Sequence, residues 1–449
     1  MSPTPRSFPT AGRPRPPGLS RRGFLARLCV GAGLAACGPA LLARSGHHWQ
    51  AAAPAPDRGP LGALGQPAHP GQLLDPDANG LRLPPGFSSR VIARGLEVVP
   101  GTGYPWHTWP DGGACFPQPD GGWIYVSNSE TIALLGGGVS AIRFDCEGRI
   151  VDAWRVLSGT SINCAGGVTP WGSWLTCEEI DFGAVFEVLP TDRNILFPSS
   201  RRRPLLGSFK HEAAAVVDAL GMIFLTEDVG DGCLYRFKAD AWPDLASGVL
   251  QVAEVVGPDP GADPEAPPRA VVWHDLPEPN PSALFGTPTR EQVPAASRFR
   301  GGEGIWHHRG VVHFTTKGDN RVWALDPRGD RLWVLYDEAW FADPLLTGVD
   351  NIIATAAGDL LVAEDGGDMQ VVALGADGAL YPLLQIAGHD GSEVTGLALS
   401  PDGSRLYFNS QRGENGGGPG VTYEIRGPIA GAALFRSDFE CGTGGATLG

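Results

Sequence analysis

Residues 163–179, NCAGGVTPWGSWLTCEE, set Cys164 just ahead of an Ala-Gly-Gly run and end an apolar stretch on Cys177, Glu178 and Glu179. Two chemistries suit these residue types. The cysteines form a disulfide beside ordinary surface charge, or a thiolate and carboxylates share a metal. Hard carboxylate oxygens suit Ca2+, while a soft sulfur among them favours a transition ion. Which cysteine and which glutamate would bind is open at this level.

The same ending recurs along the chain. Six segments align: WIYVSNSE (123–130), SWLTCEE (173–179), MIFLTED (222–228), VVHFTTKGD (311–319), DLLVAED (359–365) and RLYFNSQR (405–412). Each follows a turn, runs through a few apolar residues, and closes on small polar and then charged or polar residues. A second series precedes the runs: Cys164-Ala165-Gly166-Gly167, His211-Glu212-Ala213-Ala214, Glu303-Gly304-Ile305, Asp350-Asn351-Ile352 and Glu393-Val394-Thr395-Gly396. Carboxylates and a thiolate brought to one place repel and lose hydration, at several kcal/mol per uncompensated charge. They need cations. A salt bridge or a turn cap explains any one of these acids, but not all of them together, because only Lys317 and Arg412 stand as basic residues within the motifs. Lysine occurs only three times in the chain, so Lys317 at an acid position of the repeat points to anion binding; a salt bridge at a channel mouth explains it equally.

The elements that would position these residues are short strands. Apolar runs separated by Gly, Pro and Asp turns, with no long helical period, predict an all-β domain. Matched positions 124, 174, 223, 312, 360 and 406 are 50, 49, 89, 48 and 46 residues apart. That period suits one four-stranded blade each, so the expectation is a six-bladed β-propeller over residues 86–449. The single long gap predicts an insertion between blades three and four, about residues 240–300, which contain the Pro-rich GPDPGADPEAPPRA. In a propeller the innermost strand of each blade lines the channel, and small residues there let the strands crowd. A polar residue opening each inner strand would point at the axis.

The first fifty residues differ in kind: seven arginines, no acid, and an apolar run from Phe24 that is short and Gly/Ala-rich. Ser20-Arg21-Arg22-Gly23-Phe24-Leu25 is a twin-arginine pattern, so residues 1–50 are read as an export signal rather than a spanning helix. The twin-arginine translocase is then a partner during export, and the protein is periplasmic or secreted. Leu34-Ala35-Ala36-Cys37 resembles a lipobox, which offers Cys37 as a lipid anchor; the alternative is cleavage near Ala51-Ala52-Ala53. Residues 51–85, rich in Pro, Gly and Ala, read as a tether. Beyond residue 50 there remain 27 Lys+Arg against 49 Asp+Glu, a formal charge of −22, which excludes nucleic acid as a partner and fits a binder of hard cations. A monomer is expected.

These residues carry a family likeness. The chain resembles the PhoX-type alkaline phosphatases, twin-arginine-exported bacterial proteins with a six-bladed β-propeller, over roughly residues 80–412. The likeness rests on Leu83-Pro84-Pro85-Gly86-Phe87, on 163–179, on Thr226-Glu227-Asp228 with Tyr235-Arg236-Phe237, on Glu303-Gly304, on 350–366 and on Glu393-Val394-Thr395-Gly396 with Ser400-Pro401-Asp402-Gly403. It implies a channel site with Fe3+ and Ca2+, a cysteine thiolate on iron, and carboxylates shared among the metals. Carried over by motif, Cys164 is the thiolate, and Glu130, Glu178 or Glu179, Glu212, Glu227, Glu303, Glu364 and Glu393 are the carboxylates. Cys177 is the rival, with pairing to Cys233 or simple burial as its other fates; the glycines behind Cys164 favour close metal approach there. The implied reaction is hydrolysis of a small phosphate monoester, with Lys317 and Arg412 completing the phosphate clamp. The chain departs from the family pattern at Gly301, where an Arg is expected, at Asn128-Ser129-Glu130 for Asn-His-Glu, and at Ser410-Gln411-Arg412-Gly413 for Gln-His-Pro-Gly. These changes fall on the phosphate side more than on the metal side.

Two other readings compete: a calcium-dependent lactonase-like hydrolase on the same architecture, and a non-catalytic calcium-binding propeller. No GxSxG elbow, HExxH or P-loop is present. His307, His308 and His313 are not expected to share a metal, since strand alternation turns neighbours 307 and 308 to opposite faces.

Overall fold

The computed structural model describes residues 73–194, 199–414 and 416–429; the signal segment, Cys37 and most of the tether lie outside the described residues. β1 (Leu81–Arg82) and β2 (Ser88–Arg94) come first and are used later. β3 (Pro110–Pro117), β4 (Trp123–Ser129), β5 (Gly138–Phe144) and β6 (Ile150–Ser158) form one antiparallel sheet. β7 (Asn163–Val168), β8 (Trp174–Glu178), β9 (Val185–Val188) and β10 (Arg201–Arg202) form a second. Next come β11 (His211–Val217), β12 (Met222–Glu227), β13 (Leu234–Ala239), β14 (Gly248–Val255) and β15 (Arg269–Asp275). They are followed by β16 (Gly302–His308), β17 (Val311–Thr316), β18 (Arg321–Asp326) and β19 (Arg331–Asp337). These nine strands make one sheet, ordered β11-β12-β13-β14-β15-β19-β18-β17-β16. β20 (Val349–Ala354), β21 (Leu360–Glu364), β22 (Gln370–Leu374) and β23 (Leu380–Ile386) take β1 as a fifth strand. β24 (Val394–Leu399), β25 (Arg405–Ser410) and β26 (Val421–Arg426) take β2 as their outermost strand.

The chain is therefore all-β with a propeller-like arrangement. Four sheets of four or five strands and one of nine surround a common axis, instead of six separate blades. The difference has one cause: β15, inside the expected insertion, pairs with β14 on one side and β19 on the other and joins two meanders at their outer edges. β14 is part of its meander, so the inserted segment begins after Val255. The tether also ends earlier than the sequence suggests. Leu81 and Leu83 are buried in the core, and Leu81 and Arg82 pair with Ile386 and Gln385. Pairing β2 with β26 ties the start of the described chain to its end, with β2 as the outer edge of the last sheet.

The first strands of the successive meanders, β3, β7, β11, β16, β20 and β24, pack each against the next, and β24 returns to β3. Such crowding needs small residues. A Cβ on Gly112 would lie 2.5 Å from the Ala165 Cα, and one on Gly304 would lie 2.6 Å from the Ile352 backbone nitrogen. The core includes aromatic clusters such as Trp123, Phe144 and Tyr407, or Phe299, Phe314 and Trp323.

Every one of these six strands carries a bulge at its start, where pairing with the second strand of its meander slips. The slips fall between Pro110 and Gly113, Asn163 and Gly166, His211 and Ala214, Gly302 and Ile305, Val349 and Ile352, and Thr395 and Ala398. A bulge re-aims side chains. Those inside the slips include Asp111, Cys164, Glu212, Glu303 and Asp350.

Candidate metal centre

Register explains which residues meet at the axis. The last ladder residues of the second strands are Ser129, Glu178, Glu227, Thr316, Glu364 and Ser410. Successive side chains on a strand alternate in face. The residues just beyond the ladder, Glu130, Glu179, Asp228, Lys317, Asp365 and Gln411, therefore turn the other way from those that end it.

The ladder-ending glutamates stay within their own sheets. Glu178 accepts from the Ser161 and Ala184 N–H at 2.9 and 3.2 Å, and Glu364 from the Thr347 and Gln370 N–H at 2.9 and 3.0 Å. Glu227 accepts from the Cys233 N–H at 3.1 Å and the Tyr235 hydroxyl at 2.8 Å, and pairs with Arg290 at 3.2 Å. In all three the carboxylate holds the backbone six residues on. Burial pushes their acidities down, and Glu364 is raised to about 7.

One residue before the ladder end, side chains grip the next meander's first strand. Asn128 donates to the Cys164 and Ala165 carbonyls at 3.0 and 2.8 Å, and Asn409 to the Asp111 carbonyl at 3.2 Å. Thr226 donates to the Glu303 carbonyl at 2.5 Å, and Thr315 to the Asp350 carbonyl. Five bulge carbonyls are thus fixed from the preceding meander, which holds Asp111, Cys164, Glu303 and Asp350 in place. Cys177 occupies the equivalent position in β8 and is fully buried in a hydrophobic cluster that also contains Cys233. Both are free thiols, so the disulfide considered for them is not formed.

Cys164 is the thiol at the axis. Three overlapping groups have ligand atoms all within 4.8 Å of one another: Cys164, Glu179 and Glu212; Glu212, Glu303 and Asp350; Asp350, Asp365 and Glu393. The Cys164 thiol donates to Glu212 at 3.1 Å and to Asp111 at 3.5 Å. Asp111 also accepts from the Gly112 N–H at 2.6 Å and from Gln411. Of the expected ligands, the structure brings together Cys164, Glu179, Glu212, Glu303 and Glu393. Glu130 lies beside them across Arg412, while Glu178, Glu227 and Glu364 are engaged elsewhere. Asp111, Asp350 and Asp365 join the cluster without having been assigned as ligands. Asp111 was hidden in Pro-Asp-Gly-Gly, which reads as a turn. Its signal was the small pair behind it, matching Ala165-Gly166 and Ala213-Ala214. No group of histidines meets the same criterion among the described residues.

The electrostatics are those of too many acids in one dry place. Burial first, and then neighbouring carboxylates, push Asp111, Glu212 and Glu303 well above the usual carboxyl range, and the Cys164 thiol well above its own. Glu179 Oε2 and Glu212 Oε2 are buried without a hydrogen-bond partner. Orphaned carboxylate oxygens facing a thiol are the donor set of a metal site, so the residues fit hard cations beside one softer ion.

Three basic side chains lie over this bed, each about a quarter exposed above nearly buried acids. Lys210 contacts Glu179 at 3.1 Å. Lys317 contacts Glu303 and Asp365 at 2.9 Å and Asp350 at 3.4 Å. Arg412 contacts Glu393 at 3.0 Å and Glu130 at 3.5 Å, with its guanidinium 5.6 Å from the Trp109 ring centre. Lys210 escaped the sequence reading because it precedes its strand and no repeat marks it. Gly301, where the family pattern has an arginine, sits at φ 73°, a conformation that strains any side chain, and a Cβ there would lie 3.2 Å from Asp228. Its carbonyl accepts from the Lys317 N–H at 2.9 Å.

The family described as alkaline phosphatase PhoX matches residues 129–181 and 180–329. Among solved structures, Pseudomonas fluorescens PhoX in complex with vanadate, a transition state analogue, is similar at a TM-score of 0.64 and 18% identity, over 81% of this chain and 98% of that one. At this identity the likeness shows the fold. A gluconolactonase from Xanthomonas campestris reaches a TM-score of 0.44 at 12% identity, over 81% and 97% of the two chains. The PQQ domain of a pyranose dehydrogenase from Coprinopsis cinerea reaches 0.46 at 13%, over 78% and 98%. Neither of these two carries an argument about this chain. No curated protein matches it in sequence.

Proposed function

We propose that this chain, whose residues 129–181 and 180–329 match the alkaline phosphatase PhoX family, is a metal-dependent phosphomonoester hydrolase acting outside the cytoplasm. The observation that carries the reading is the layering of the site. Buried carboxylates and one thiol form a bed, two of its oxygens lack partners, and Lys210, Lys317 and Arg412 form a partly exposed cationic rim. A bed of that kind suits cations, and a rim of that kind suits a phosphate.

Cys164, Glu179 and Glu212 would hold the softer ion, proposed as Fe3+, with Asp111 beside them; Ca2+ would take further carboxylate oxygens of the same bed, away from the corner that Lys317 contacts. Ions held there supply Lewis-acid charge and lower the pKa of water at the site. The chain's own residues do the rest. Arg412, braced by Gln411 at 2.8 Å and by the Trp109 ring, presents N–H donors to phosphate oxygens at the mouth. The Lys210 and Lys317 ammonium groups oppose the charge that grows on the phosphoryl oxygens. Gln411 orients Asp111, and the buried walls limit bulk water. In this reading the nine-stranded sheet is two blades fused through β15, so that six blades surround the site. The twin-arginine segment would deliver the folded, metal-loaded protein to the periplasm or beyond, as a monomer and either free or anchored at Cys37.

The test is turnover of p-nitrophenyl phosphate by purified protein with and without a chelator, beside metal analysis. Chelator-sensitive hydrolysis together with bound iron and calcium is the expected result. Undiminished metal content with no turnover of any phosphate monoester would remove the phosphatase reading.

A further inference from the structure

The three metal-capable groups are not equivalent, because two of them already contain a cation of the chain's own. Lys317 Nζ lies 2.9 Å from Glu303, 3.4 Å from Asp350 and 2.9 Å from Asp365. Those three acids supply two of the three members in each of the groups built on Asp350. The Cys164 group differs. There Lys210 lies 3.1 Å from Glu179 Oε1, and Glu179 Oε2 and Glu212 Oε2, the latter residue shared with the Glu303–Asp350 group, have no hydrogen-bond partner.

We propose that Lys317 is a resident cation of the centre, its ammonium holding the Glu303–Asp350–Asp365 corner against a divalent ion, so that ions bind on the Cys164–Glu179–Glu212 side. A calcium ion needs oxygens at about 2.3–2.6 Å on several sides. An ammonium sharing those oxygens would stand a few ångströms from the ion, where like charges in a poorly hydrated site repel strongly. Lys317 cannot easily vacate the corner from the backbone side, because its N–H is bonded to the Gly301 carbonyl at 2.9 Å and β17 ends just before it. One site thus replaces exchangeable positive charge with a covalently fixed one. The inference rests on the metal centre proposed above, and not on its phosphatase step.

The experiment is calcium titration of metal-stripped wild type, Lys317→Met and Lys317→Arg by calorimetry, with ion counts after equilibrium dialysis. Lys317→Met is expected to bind one more Ca2+ per chain than wild type, or to bind at the same count at least about tenfold more tightly; Lys317→Arg should match wild type. Equal counts and affinities in wild type and Lys317→Met overturn the proposal. Should Lys317→Met fail to fold, acylation of the wild-type lysines decides: labelling of Lys317 unchanged by calcium supports the proposal, and calcium-induced labelling overturns it. A wild type that binds no ion overturns this inference together with the metal centre, whereas bound ions without turnover of a phosphate monoester sink the phosphatase reading alone.

Discussion

Glu178 and Glu179 are adjacent in the chain and face opposite ways. Glu178 ends the β8 ladder opposite Asn163 and turns both oxygens to backbone N–H groups of its own sheet, whereas Glu179 stands at the axis with Cys164 and Glu212. One glutamate is a brace and the other a ligand candidate, and only the strand register separates them.

Substitution of the two should therefore fail in different ways. Glu178→Ala strands the Ser161 and Ala184 N–H groups and should cost roughly 1–3 kcal/mol of stability while leaving the number of bound ions unchanged. Glu179→Ala should keep the metal-free melting temperature close to wild type and weaken binding of the tightest ion by on the order of a hundredfold or more. Thermal melts of the metal-free proteins beside equilibrium dialysis read both; the reverse pattern would reverse the assignment.

What could be read beforehand was the repeat; what could not was its register. The near-constant spacing of the apolar runs marks the second strands, and the single 89-residue step marks the inserted segment, because turns and strand length are local. β15 reads locally as a strand, but nothing in Ala-Val-Val-Trp-His-Asp says that β19 will be its second partner. A one-residue shift exchanges the two faces of a strand, so the choice between Glu178 and Glu179, or between Glu364 and Asp365, needs the ladder. Cys164 could be favoured in advance because glycines follow it. Its fixation by Asn128, from the preceding sheet, could not.

The two cysteines give a second contrast. Cys164→Ser exchanges a soft ligand for a hard one and should lower affinity for a transition ion by on the order of a hundredfold or more, with calcium binding retained. Cys177→Ser puts a hydroxyl into a closed apolar cluster and should cost about 1–3 kcal/mol without altering metal selectivity. Iron content after dialysis against a weak chelator, together with urea melts, separates them.

Arg412 is the rim group best placed to act on substrate, since its guanidinium is braced from two sides and a quarter exposed. Arg412→Ala should lower kcat/KM for a phosphate monoester by on the order of a hundredfold, while Arg412→Lys, which keeps charge but loses the planar fork, should recover only part of it. Metal content should match wild type in both. Unchanged kinetics in Arg412→Ala would take the residue out of the phosphate site.

The metal-free protein should lose stability as pH rises. Burial and neighbouring acids raise the folded-state pKa values of Asp111, Glu212 and Glu303 above the ordinary 3.8 for Asp and 4.5 for Glu. The folded state then holds more protons than the unfolded one, and the slope of unfolding free energy with pH is negative. Their stabilising share is complete below the ordinary values and is lost as pH climbs through the raised ones. Bound cations stabilise the ionised carboxylates, so loading should flatten the decline and release protons. Melting temperatures from pH 4 upward, with and without metal, test this, and Glu212→Gln should soften the metal-free decline because it removes the most crowded of the three charges. A metal-free melting curve that rises over that range in wild type would mean that the acids find partners other than cations.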